Sequence, residues 1–75
     1  MSSLEIYCQR VRETKGIYHM QALKVLRDYI KAIPEKYIIE AISRIENPIL
    51  FRALLEAGVN RRVQEAIASR GEKLL

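Results

Sequence analysis

An all-α fold, a small bundle of about five short helices, is the class predicted here, and three observations predict it. Apolar residues recur at helical spacing in every segment, as Leu4, Tyr7, Cys8 and Val11 do at i, i+3, i+4 and i+7. Helix start and stop residues punctuate the chain at Ser2, Gly16, Pro34, Asn47-Pro48, Gly58, Asn60 and Gly71. No segment alternates apolar and polar residues as a half-buried strand would.

Ser2 is placed to cap the first helix, with Glu5 three residues on completing a capping box, and Gly16 ends or kinks that helix. A second helix is expected from about Tyr18 to Ile33. Ala22, Leu23, Leu26, Tyr29, Ile30 and Ile33 gather on one side of it, and Lys24, Arg27, Asp28 and Lys31 on the other. Pro34 stops it and suits the start of a third helix, whose first turn holds Glu35. Ile38, Ile39, Ala41, Ile42 and Ile45 give this third helix a wide apolar stripe, so it is expected to be central and the most buried. Asn47-Pro48 opens a fourth helix that Gly58 closes, and Asn60 opens a fifth that is expected to end at Gly71.

The last two helices follow one plan. Asn47, Leu50, Ala53, Leu54 and Gly58 recur thirteen residues later (60 − 47) as Asn60, Val63, Ala66, Ile67 and Gly71, and Ile38, Ala41 and Ile42 anticipate them. A small Ala lets a neighbouring helix approach and the branched residue beside it fills the remaining space. Through these residues, the stretch 38–71 resembles the HEAT-like family of α-helical repeats. That resemblance implies a scaffold that binds other macromolecules and carries no chemistry of its own, with helices three to five packed as an array.

A competing resemblance covers part of the same stretch. Ala53 to Arg62 is similar to the turn of a helix-turn-helix unit, with Gly58-Val59 in the turn and Asn60 capping a recognition helix over about 60–70. It implies that Arg61, Arg62 and Gln64 face a DNA major groove with Arg70 near a phosphate, and the basic ridge Lys24, Arg27 and Lys31 would assist. The two readings differ in phase: the repeat buries Val63, whereas helix-turn-helix spacing calls for an apolar residue where Gln64 stands.

Size and charge bound the rest. The 75 residues make a single domain (1–75) with a small core, and self-association as a homodimer is expected to supplement it. With 49% hydrophobic and 29% charged residues the chain belongs with globular proteins. Thirteen Lys and Arg against nine Asp and Glu give a net charge of +4, compatible with an acidic or nucleic-acid partner but too dispersed for a polyanion clamp. One cysteine permits no internal disulfide, the start of the chain has no signal-peptide pattern, and no apolar run is long enough for a membrane span, so a cytoplasmic location is expected.

No catalytic signature is present, and a non-enzyme is expected. Cys8 and His19 form a nucleophile–base pair only if their helices bring them together, and no third orienting residue accompanies them. Glu40, Glu46 and Glu56 read as partners of nearby arginines, not as an acid pair. One His and one Cys are poor material for a metal site, the three glycines are too isolated for a phosphate loop, and no cofactor is expected. The tyrosines Tyr7, Tyr18, Tyr29 and Tyr37 stand at borders of the apolar stripes, where an amphipathic ring suits a core or an interface. The function expected is a protein-interaction or self-association module, with Tyr37, Phe51 and Leu55, which lie beyond the repeat's buried set, as contact residues. A small basic nucleic-acid-binding protein is the alternative.

Overall fold

The start of the chain shows how local chemistry sets the first helix. In a computed structural model describing residues 2–75, the Ser2 Oγ accepts the Glu5 amide at 3.3 Å and also donates to the Glu5 carboxylate, also at 3.3 Å. The box therefore closes on the Ser hydroxyl itself. Helix α1 runs Ser3–Glu13 and ends where Thr14 turns extended, its hydroxyl donating to the Arg10 carbonyl at 2.7 Å. Gly16, at φ +62°, swings the chain round, a backbone conformation that L side chains rarely adopt. Helix α2 (Ile17–Ala32) then runs back along α1, antiparallel to it, with Tyr7 stacked on Tyr29 at one end and His19 against Val11 and Thr14 at the other.

Ile33 is extended ahead of Pro34, as a residue before proline prefers to be, and α3 spans Glu35–Arg44. The Asn47 side chain accepts from the Ile49 amide and starts a 3-10 turn, Pro48–Leu50, that leads directly into α4 (Phe51–Ala57). Gly58, at φ +88°, ends α4, and Asn60 accepts from the Val63 amide at 3.0 Å to start α5 (Arg61–Lys73). No strand occurs among the described residues.

Helix α4 packs on both helices of the α1–α2 hairpin, while α3 and α5 pack chiefly on each other. The latter two run parallel: Glu35 meets Asn60 and Arg62 at one end, and Arg70 reaches the Ile45 carbonyl at the other. The core joins Leu4, Cys8 and Val11 to Leu23 and Leu26, to Ile38, Ile42 and Ile45, and to Leu50, Phe51, Leu54, Val63 and Ile67.

The repeat's apolar set is buried or half-buried throughout. Leu50, Ala53, Leu54, Val63 and Ile67 are buried and Ala66 is half-buried; in the anticipating stretch Ile38 and Ile42 are buried and Ala41 is half-buried. Gln64 faces solvent. The principal packing partner of α5 is α3, not α4.

Three expectations are corrected. Helix α4, not α3, has the largest buried share, with Phe51, Ala53, Leu54 and Ala57 all inside, because both helices of the hairpin and the 3-10 turn pack on it. Phe51 is 5% exposed and belongs to the core, so it is not a surface contact. Gly71 does not end α5: it lies inside the helix, which continues until the Leu74 amide donates to the Arg70 and Gly71 carbonyls. Leu74 packs against the core, and that contact favours the extra turn.

Candidate protein interface

A partly apolar exposed surface lies along the outside of the α1–α2 hairpin. On α2 the core stripe is His19, Leu23, Leu26, Ile30 and Ile33. One residue behind it runs a second stripe at the same spacing, Tyr18, Ala22, Val25, Tyr29 and Ala32. On α1 the matching offset stripe is Ser3, Tyr7, Arg10 and Thr14. Spacings of four and three residues are those of helices that pack side by side in bundles. Contact between α1 and α2 uses only part of this seam. Tyr7, Ala22 and Tyr29 are half-buried, with the two tyrosine rings 4.7 Å apart and tilted by 50°. Tyr18 stays 68% exposed and Val25 46% exposed.

Between these residues lies a groove with a cavity volume of about 190 Å3, lined by Tyr7, Arg10, Thr14, Tyr18, Gln21, Ala22 and Val25. A shallower depression continues it past Ser3 and Ile6. An exposed and a half-buried tyrosine ring with one guanidinium beside them match the residue types enriched at energetically dominant interface positions. The sequence carries this signal as the offset stripe. What it does not carry is that neither hairpin partner covers Tyr18 and Val25.

Of the expected contact residues, Tyr37 and Leu55 are about half exposed, at 53% and 52%, and lie outside this groove. The Lys36 ammonium sits over the Tyr37 ring, 5.1 Å from its centre.

Of the basic residues expected at a nucleic acid, Arg27 and Arg70 are held by backbone carbonyls. Arg27 donates through Nε to the Ala57 carbonyl at 2.8 Å, closing the C-terminal end of α4, and Arg70 does the same to Ile45 beyond α3 at 2.9 Å. Both supply a cation where helix carbonyls lack partners. Lys24 pairs with Asp28 at 3.0 Å, Arg61 with Glu65 at 3.6 Å and Arg62 with Glu35 at 3.7 Å. Gln64 donates to the Val59 carbonyl at 2.9 Å, whereas Lys31 is exposed with no ion pair among the described residues.

Cys8 and His19 are not brought together. Burial, with a smaller contribution from the Glu5 charge, pushes the Cys8 thiol up to about 12, far from a reactive thiolate. His19 Nδ1 faces two carbonyl oxygens, Val11 at 2.9 Å and Thr14 at 3.2 Å, while Nε2 meets the Glu56 carboxylate at 2.6 Å. Carbonyls only accept, so Nδ1 carries a proton. A second proton on Nε2 then completes the contact with Glu56, and the His19 pKa is accordingly raised, chiefly by that hydrogen bond. The ring ties α1, α2 and α4 together. Glu40 pairs with Arg44 at 2.7 Å. Among the described residues no three His, Cys, Asp or Glu side chains cluster as metal ligands would, and no helix is long and apolar enough to cross a membrane.

Comparison with family models, curated proteins and solved structures finds no match to this chain.

Proposed function

We propose that this chain is a non-catalytic protein-interaction module that works through the outer groove of its α1–α2 hairpin. The observation that carries the reading is the second apolar stripe of α2, whose Tyr18 and Val25 remain open to solvent although they stand beside the core. Covering these side chains contributes about 25 cal/mol per Å2 of apolar surface that a partner removes from water. The nucleic-acid reading has less support, because Arg27 and Arg70 are held by helix carbonyls.

A photoreactive phenylalanine analogue at position 18, with one at position 31 as control, tests the reading in cells that make the protein. Protein adducts from position 18, and few from position 31, are the expected outcome. Absence of any protein adduct at 18 would sink it, and nucleic-acid adducts at 31 would favour the alternative.

A further inference from the structure

The geometry points to a second copy of this chain as the occupant of the groove, the two hairpins packing face to face as a four-helix bundle; this rests on the interaction-module reading and names its partner. The exposed surface is 5297 Å2 for 8.7 kDa, whereas a monomer of that mass typically exposes about 4,700 Å2. The excess, roughly 600 Å2, matches what each partner covers at the lower end of stable interfaces.

The seam itself is suited to helices. Both its helices keep the alternating four- and three-residue spacing with which two-fold-related helices interdigitate at a shallow crossing angle. In a two-fold interface a patch must be complementary to itself, residue i meeting j and j meeting i. Arg10 projects from the middle of the α1 seam and enters no ion pair or side-chain hydrogen bond among the described residues. Asp28 stands at the rim of the α2 seam, bound only to Lys24 through a pair whose side chains are 77% and 63% exposed. A two-fold axis through the groove near Val25 sets Arg10 of each copy against Asp28 of the other. The two charges complement each other across the axis, and the tyrosines and Val25 fill the space between them.

Analytical ultracentrifugation of the full chain over a range of concentrations tests this, with circular dichroism reporting that each variant stays helical. The wild type is expected to sediment at twice 8.7 kDa. Val25→Glu, on an exposed position, is expected to yield a helical monomer. Arg10→Asp should weaken dimerisation about tenfold or more, and adding Asp28→Arg should restore most of it, as exchange of an interfacial pair requires. Leu55→Glu, on another face, should leave the dimer intact. A folded wild type that is monomeric at every concentration overturns the self-pairing, as does a Val25→Glu variant that remains dimeric. Should the monomer still give protein adducts from position 18, the module reading stands with a different partner; without adducts both fall.

Discussion

His19 joins three helices through one ring, and its protonation decides whether that junction attracts or repels. With both nitrogens protonated it donates to Val11, Thr14 and Glu56. Once neutral it keeps the Nδ1 proton and turns a lone pair toward the carboxylate. Its folded pKa is raised above 6.5, so the stabilisation is fully present below 6.5 and is lost as the pH rises through the raised value. Urea midpoints recorded from acidic to alkaline pH should fall across that window in the wild type. His19→Gln and Glu56→Gln should each flatten the fall, and a slope unchanged in both variants would refute this assignment. Arg27 and Arg70 act at the same scale. Removal of either guanidinium leaves a terminal helix carbonyl without its partner, so Arg27→Ala and Arg70→Ala are each expected to cost about 1 kcal/mol in urea unfolding. Lys31→Ala, on the open face of α2, should stay within about 0.5 kcal/mol.

At the scale of the element, two glycines that look alike in sequence have opposite demands. Gly16 turns the chain between α1 and α2 at φ +62°, and a Cβ there meets nothing within 4 Å, so only backbone strain opposes a side chain. Gly16→Ala should therefore cost about 1–3 kcal/mol. Gly71 lies within α5, also with open space around it, and Gly71→Ala should stabilise by about 0.5–1 kcal/mol. Melting temperatures of the two variants should move in opposite directions. The contrast explains what could be read in advance. Caps at Ser2, Asn47 and Asn60 and the buried set Leu50, Ala53, Leu54, Val63 and Ile67 were legible, because each depends on neighbours within one or two turns. Gly71 was not, because the extra turn of α5 depends on Leu74 reaching a core built by the rest of the chain.

For the whole molecule, position relative to α4 sorts the side chains. Phe51 and Leu54 are buried in the core, and Leu55, one residue on, is half exposed. Phe51→Ala should remove about 3–5 kcal/mol and Leu54→Ala about 2–5 kcal/mol. Leu55→Ala should remove less than about 0.5 kcal/mol. A domain this size holds only about 4–11 kcal/mol in total, so the first two variants should show depressed or incomplete folding by denaturant titration. Which side of α4 is covered is a tertiary fact: Phe51 adjoins the repeat's buried set in sequence and stays anonymous until α1 and α2 close over it. The groove shares this property. Its offset stripe is visible as spacing on α2, but spacing alone does not reveal that α1 leaves Tyr18 and Val25 uncovered.

The two arginine–carbonyl contacts also bear on the order in which the molecule assembles. The α1–α2 hairpin needs only the short turn at Thr14–Gly16 to form. Arg27 reaches Ala57 across 30 positions and Arg70 reaches Ile45 across 25, so each contact closes a long loop whose entropy must be spent first. These contacts are expected to act as latches of the fold, Arg27 closing after α2 meets α4 and Arg70 after α5 meets α3. Loss of a latch should leave the refolding rate nearly unchanged and speed unfolding, so that in stopped-flow measurements Arg27→Ala shifts the unfolding limb alone. The guanidinium groups that the helix-turn-helix resemblance assigns to DNA would then govern how long the native state persists.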